Sequence, residues 1–408
     1  MSTADPDGLL ARTLREESGL LVARLSRRFG DFDLAEEAVQ TAVVEALTSW
    51  RRDGAPDRPG AWLQVAAERN ALDAVRRGSR QRALAERAPP PEEPRDGTDE
   101  RLPLLFACCH PALAPEARLA LTLRAVVGLT TPQIARAFLV NETALAQRIV
   151  RAKRKIVTAG ISLTVPPPDQ LAERLGDVLR VVYVMFNEGF VSSTGPSQDR
   201  DLAADAVWLA GVVATSLPQE AEAWGLAALL TLQHARAGAR FDAQGRLVLL
   251  RDQDRTAWDP TALAAGEDLL ERAATLRSPG RYQLQAAIAA CHASAATWAE
   301  TDWLQIVTLY DLLLAHDPSP VVRLNRAVAR AQLGPEQAAL ALGEVDELAD
   351  ELASYHLFHA TRGQLLTELG RSDEADAAHR TALGLTTNDA ERRLLLTRLH
   401  RHPLEDGS

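Results

Sequence analysis

The chain has 408 residues, 46% hydrophobic and 25% charged, with a formal net charge of −10. That length predicts two or three domains with ample material for buried cores. No run of 18 apolar residues occurs, and the N-terminus MSTADPDGLLARTLREE lacks the charged-then-apolar layout of a signal peptide, so a cytoplasmic protein with no membrane partner is expected. Cys108, Cys109 and Cys291 are too few for a disulfide framework, which suits a reducing compartment. Cys108-Cys109-His110 has metal-ligand residue types, but adjacent cysteines do not easily close one tetrahedral site and no second pair follows. It reads as a buried, reduced helix segment, and no metal or cofactor is expected.

Leu, Ala, Arg and Glu dominate and period-2 runs are nearly absent, so an all-α protein is predicted. Residues 8–82 form a first helical unit that ends in the basic run RRGSRQR. Its helix from Asp33 to Trp50 is expected to bury Val39, Val43, Leu47 and Trp50 and to expose Glu36, Glu37 and Gln40. The next helix opens near Trp62 and Leu63 and ends at Arg76 and Arg77. Taken alone, these are two amphipathic helices with polar faces. Residues 83–100, ALAERAPPPEEPRDGTDE, are Pro-rich, acidic and without apolar periodicity, so they read as a linker.

The second unit, 101–159, holds the most informative stretch, GLTTPQIARAFLVNETALAQRIVRAKRKI at 128–156. Thr130 and Gln133 form a capping-box pair, and Pro132 sits in the first turn, where its missing N–H costs nothing. A helix starting near Thr131 runs through Ile134, Ala135 and Phe138 and breaks at Leu139-Val140-Asn141. Asn141 is suited to cap the next helix. There, Leu145, Ile149, Ala152 and Ile156 make one narrow buried stripe. Opposite lie Thr143, Gln147, Val150, Arg151 and Arg154, flanked by Arg148, Lys153 and Lys155; the last two are the only lysines in the protein. Such a face docks in a major groove if Gln and Arg reach base edges, Val150 meets a thymine methyl and the cations hold phosphates. A solvated basic face on an ordinary helical hairpin gives the same pattern.

Charge is uneven along the chain. Residues 1–160 carry 24 Lys+Arg against 21 Asp+Glu, and the remainder carries 21 against 34. DNA-facing chemistry is therefore confined to the N-terminal part, and an acidic protein is expected to bind DNA poorly without a partner.

After the break TVPPPD at 164–169, residues 170–400 read as a helical extension, with Gln244–Leu250 as a short hairpin or extended loop. Within 318–387, Ala327, Gly334 and Ala339 recur 36 positions later as Gly363, Gly370 and Ala375. Small residues at these spacings let antiparallel helices pack closely around a Gly-bearing turn, a tetratricopeptide-like layout; a generic helical hairpin stack has the same signature. Leu366 and Ala382 fit the repeat, whereas His379 and Thr387 depart from it. Asn187, Glu188, Asp252, Asp254, Arg255 and Trp258 either line a groove or cap helices and brace the junction between domains.

The helix DLAEEAVQTAVVEALTSW, the helix PGAWLQVAAERNALDAVRR, the acidic linker and the helix-turn-helix, in this order, resemble region 2, linker and region 4 of the extracytoplasmic-function sigma factors of the sigma-70 family. The stretches LFACCHPALAPEARLALTLRAVVGLTTPQIARAFLV, VYVMFNEGF, DQDRTAWD, GRYQLQAAIAACHA and PSPVVRLNRAVA resemble the subgroup with a C-terminal tetratricopeptide-like extension. This resemblance implies promoter-specific initiation with core RNA polymerase, gripped through its β′ clamp and β flap, and with promoter DNA. It places Glu36, Glu37 and Gln40 against the clamp, where Thr41 replaces a frequent glutamate. It assigns Trp62, Asn70, Arg76, Arg77 and Arg80 to the melted minus-10 element, although the Arg69-Asn70 order is altered from the usual one. It assigns Gln147, Val150, Arg151 and Arg124 to the minus-35 element, and helix geometry adds the outward Thr143 and Arg154, the flanking Arg148 and Lys153 and the capping Asn141 as candidates for the same contact; Ala146 replaces a frequent arginine. Glu92, Glu93, Asp96, Asp99 and Glu100 of the linker are expected to mimic phosphates in polymerase channels.

The extension is expected to be regulatory, taking a protein or peptide ligand. The rival function is a stand-alone helix-turn-helix regulator with a tetratricopeptide sensor, which would bind duplex DNA unaided. An enzyme is not expected: the carboxylates and His292, His356, His359 and His379 are scattered, and no Gly-rich phosphate loop or HExxH occurs.

Overall fold

The computed structural model describes residues 6–77, 99–138, 140–192 and 201–400. The fold is all-α: the described residues contain helices and a single isolated antiparallel bridge, Phe241–Leu247, where the sequence suggests a hairpin or extended loop. The chain forms two compact units, Met1–Ser192 with Leu202–Ser216, and Ser193–Asp201 with Leu217–Ser408.

The first unit contains α1 (Pro6–Phe29), α2 (Phe32–Asp53), α3 (Pro59–Arg77), α4 (Arg101–Cys108), α5 (Pro115–Ala125), α6 (Thr131–Ala137), α7 (Glu142–Thr158), α8 (Pro168–Ser192) and α9 (Leu202–Ser216). Asp31 caps α2 by accepting from Leu34 N at 3.0 Å, and Gly54, at φ +88°, ends it with its N–H on Trp50 O. The core stripe of α2 is finer-grained than its sequence suggests. Ala35, Ala38, Val39, Ala42, Ala46 and Trp50 are buried, while Val43 and Leu47 are only half-buried, because neighbouring helices approach over the alanines. Helix α8 starts at Pro168, as the break at 164–169 predicts, yet α8 and α9 cluster with the preceding helices. Arg118 of α5 pairs with Asp177 of α8 at 2.8 Å, and Arg174 donates to Phe106 O at 2.7 Å. The compact units therefore part beyond the break from which the sequence sets off a separate extension.

Cys108 and Cys109 are wholly buried at the end of α4. Cys109 Sγ lies 3.6 Å from Thr122 Oγ1, and burial pushes its thiol up to about 12. Among the described residues no group of three His, Cys, Asp or Glu is placed to hold a metal, and no helix is long and apolar enough to cross a membrane.

The second unit contains α10 (Ala221–His234), α11 (Pro260–Thr275), α12 (Arg281–Ser294), α13 (Trp303–His316), α14 (Pro320–Ala331), α15 (Pro335–Asp346), α16 (His356–Glu368), α17 (Ser372–Leu385) and α18 (Asp389–His400). The repeat read from the sequence appears as two hairpins, α14–α15 and α16–α17, with Gly334 (φ +135°) and Gly370 (φ +74°) at their turns. Its register differs in the second helix of each hairpin. Ala338, Ala341 and Val345 are buried where Ala375, Ala378 and Ala382 are, and Ala339 is exposed. The offset is thus 37 there, because Arg371 lengthens the second turn by one residue. His379 is buried with its ring against Gly363, where a Cβ would stand 2.6 Å from the imidazole, so Gly363 makes the room that a large residue at 379 needs.

Of the polar cluster singled out in the sequence, Asn187 and Glu188 are exposed on α8 of the first unit. Asp254 caps a short 3-10 turn by accepting from Thr256 N at 2.9 Å, and Arg255 donates to His292 O and Ala295 O, both at 2.7 Å. Trp258 is buried. These last three brace the fold.

Candidate nucleic-acid interface

The helix-turn-helix is built by the caps its sequence contains. Thr130 Oγ1 accepts from Gln133 N, and Gln133 Oε1 accepts from Thr130 N at 2.8 Å, closing the capping box of α6. Asn141 Oδ1 accepts from Ala144 N at 3.0 Å and starts α7. Leu145, Ile149, Ala152 and Ile156 are buried, and Thr143, Gln147, Val150, Arg151 and Arg154 are exposed on the other side. Arg148 is half-buried. Arg151 and Arg154 make no ion pair among the described residues. Residues 101–160 carry nine Lys+Arg against two Asp+Glu, so this face has the cationic excess that phosphate binding requires.

Two cations expected to contact DNA, Arg124 by resemblance and Lys153 by helix geometry, sit elsewhere. Lys153 is buried at 7% exposure, although the helical wheel places it on the flank of the outward face. Its Nζ pairs with Glu36 and, at 3.1 Å, with Asp33, both on α2. Arg124 Nε pairs with the other oxygen of Glu36 at 3.0 Å and also donates to Leu129 O. The physical reason is geometric: four residues past Ile149, Lys153 lies about 40° from the buried stripe and inherits its cover. A cation held there needs an anion, and Glu36 supplies it.

Glu36, assigned to the polymerase clamp, is thereby engaged between α2, α5 and α7, while Glu37 and Gln40 remain exposed beside Thr41 and Val44. Of the minus-10 candidates, Arg76 and Arg77 are exposed at the end of α3, with Arg76 3.5 Å from Asp73 and Arg77 donating to Asp73 O. Trp62 is half-buried, edge-on to Trp50 with ring centroids 5.6 Å apart. The Asn70 Nδ2 is buried and has no hydrogen bond among the described residues. Arg80 lies outside the described residues, as do Glu92, Glu93 and Asp96 of the linker. Asp99 instead holds Arg101, accepting from its backbone N at 2.9 Å, and Glu100 pairs with Arg24 of α1 at 2.7 Å.

Asp33, Gly19 and Ser18 are contacts that sequence reasoning missed. A Cβ on Gly19 of α1 would lie 2.1 Å from Val126 O, and one on Gly128 would lie 2.5 Å from Ser18 Oγ. Helix α1 therefore packs backbone-close on the turn that leads into α6. The available signal was a lone glycine inside the otherwise strong helix former LREESGLLVARLS.

Residues 14–81 match the family Sigma-70 region 2, and residues 104–156 match Sigma-70, region 4. Sigma-70 regions 2 and 4 are thus both present, and they support a sigma-70 family sigma factor for promoter recognition; members of that family are transcription initiation factors. Residues 174–274 of the sigma factor match a family of unknown function (DUF6596). It is 44% identical over 385 residues to "Uncharacterized protein R00370" of Rhizobium meliloti (strain 1021), covering 90% of this chain and 89% of that one. No solved structure matches it.

Proposed function

We propose that this sigma factor is of the extracytoplasmic-function type, binds core RNA polymerase, and carries a tetratricopeptide-like regulatory region in place of a separate inhibitor. The observation that carries the reading is the unpaired, exposed face of α7, built by region 4 in the same compact unit as region 2. In this reading Gln147, Val150, Arg151 and Arg154 meet the minus-35 element, Arg76 and Arg77 meet the minus-10 strand, and Glu37 and Gln40 start the clamp contact. The two hairpins at an offset of 36 to 37 residues support a tetratricopeptide-like stack.

The ion pairs of Glu36 add a resting state to this function. Glu36 cannot face polymerase, nor Arg124 and Lys153 face phosphates, while they neutralise one another. Binding to polymerase has to exchange these contacts, and apparent affinity falls by the fraction of chains in the closed arrangement. Run-off transcription with bacterial core polymerase, the purified chain and a promoter library tests the reading. Factor-dependent, promoter-specific initiation is expected; tight duplex binding without polymerase, and no initiation with it, would replace the reading with a stand-alone regulator.

A further inference from the structure

We propose that the cavity of the second unit is a binding site for a small, uncharged, ring-bearing molecule. It holds about 390 Å³ between the first helices of the two hairpins, α14 and α16, the aromatic end of α12–α13, α18 and the segment 247–251. That volume lies in the range of small-ligand sites, about 300–1,000 Å³. The site exists independently of whether the second unit regulates initiation.

The wall chemistry selects the ligand. Trp298 and Trp303 stand with ring centroids 4.5 Å apart at 59°, and His292 stacks on Trp298 at 5.9 Å and meets Trp303 edge-on at 5.3 Å. Burial, with Arg236 and Arg255 nearby, lowers the His292 imidazole to about 4, so this ring is neutral at physiological pH. The wall is thus a set of uncharged π faces that favours offset or edge contact with another ring. Of the charged side chains at the cavity, Arg251 pairs with Glu368 at 3.1 Å, Glu391 accepts from Thr386 Oγ1 at 2.6 Å and stands 2.9 Å from His356 Nε2, and Arg398 is engaged within the protein. A charged ligand would have to break one of these pairs and lose its own hydration. Asn325 borders the cavity without a hydrogen bond among the described residues and offers one polar handle; Gln332 is already taken by Trp298 Nε1 at 3.1 Å.

A peptide fits less well. Leu247, Leu249 and Leu250 of the chain itself line the cavity together with α14 and α16, and Arg251 fastens that segment to Glu368. An extended ligand running along the first helices of the hairpins meets this segment, and what is left is a space of small-molecule size.

The test uses the full-length protein and the uncharged fluorophore N-phenyl-1-naphthylamine, read by energy transfer from tryptophan. Saturable one-to-one binding is expected. Ala360→Trp, which places bulk in the cavity from a half-buried position, should weaken it by about ten-fold or more, and the anionic 8-anilinonaphthalene-1-sulfonate should bind weaker than the neutral probe by a similar factor. Should Ala360→Trp lose the wild-type circular dichroism, Leu357→Trp, from an exposed lining position, is read in its place. Binding unchanged by a folded variant, absence of saturable binding, or an anionic probe binding as tightly as the neutral one overturns the proposal. Displacement of the probe by a pool of random octapeptides overturns it in favour of a peptide groove.

Discussion

Two helical hairpins in this protein, α6–α7 and α16–α17, are built from similar lengths of chain and do opposite things with their charges. In α7 the outer face presents Arg151 and Arg154 to solvent without an acidic partner among the described residues. In α16–α17 the arginines are matched: Arg362 with Asp346 at 2.6 Å, Arg371 with Glu374 at 2.6 Å and Arg380 with Asp376 at 3.4 Å. A helical hairpin is thus no DNA reader by shape alone. Only a face whose cations are left unneutralised can release counterions from a phosphate backbone. The contrast extends along the chain, since residues 161–408 carry 21 Lys+Arg against 34 Asp+Glu.

The largest effect should come from emptying that face. Arg151→Ala with Arg154→Ala is expected to lower promoter-directed run-off transcription by about 100-fold and to reduce the salt slope of holoenzyme binding by about 2, taking about 1–3 kcal/mol for each DNA-contacting arginine. Arg362→Ala with Arg380→Ala should leave both readouts unchanged; equal losses in the two pairs would erase the contrast between the hairpins.

The second unit should instead answer to protons through a buried ring. His292 is lowered to about 4 in the folded chain, from a usual value of about 6.5, so the unfolded chain takes up its proton first as pH falls. Stability supplied by the neutral ring is complete above about pH 6.5 and drains away down to about pH 4, by about 3 kcal/mol. Urea unfolding followed by tryptophan fluorescence should show this slope in the wild type and lose it in His292→Phe.

Smaller effects should come from the closed packing of the first unit. Gly19→Ala drives a methyl into Val126 O and should cost about 1–3 kcal/mol of the packing between α1 and the turn before α6. Because Lys153 and Lys155 are the only lysines, acylation followed by mass spectrometry reads the opening directly. The free wild type should be labelled at exposed Lys155 and spared at Lys153, and Gly19→Ala should expose Lys153; labelling of both lysines in the wild type would contradict a closed resting state. Lys153→Met removes one counter-charge of Glu36 and should tighten binding to core polymerase, without DNA, by about five-fold, equivalent to about 1 kcal/mol. Fluorescence anisotropy of the labelled chain measures it, and weaker binding would mean that Lys153 supports the polymerase-bound form.

Local chemistry was legible from the sequence wherever one helix or one turn decided it. Thr130, Gln133 and Asn141 cap the helices their positions predict, and Leu145, Ile149, Ala152 and Ile156 are buried as their spacing requires. The order of the two motifs also pointed to region 2 and region 4, which the family matches bear out. Periodicity, however, fixes the face of a helix and not the element that covers it. Val43 and Leu47 share the predicted stripe of α2 but lie at its uncovered edge, while the stripe's alanines take the contact. Lys153 and Glu36 stand 117 positions apart, and nothing local to either announces the other. Their pairing, the one-residue slip of the hairpin repeat and the cavity walled by segment 247–251 depend on which surfaces meet. The sequence by itself determined the helices, their caps and the cationic face; only the tertiary structure decided which charges face solvent and which are spent on one another, because burial and Coulomb pairing are set by neighbours distant in the chain.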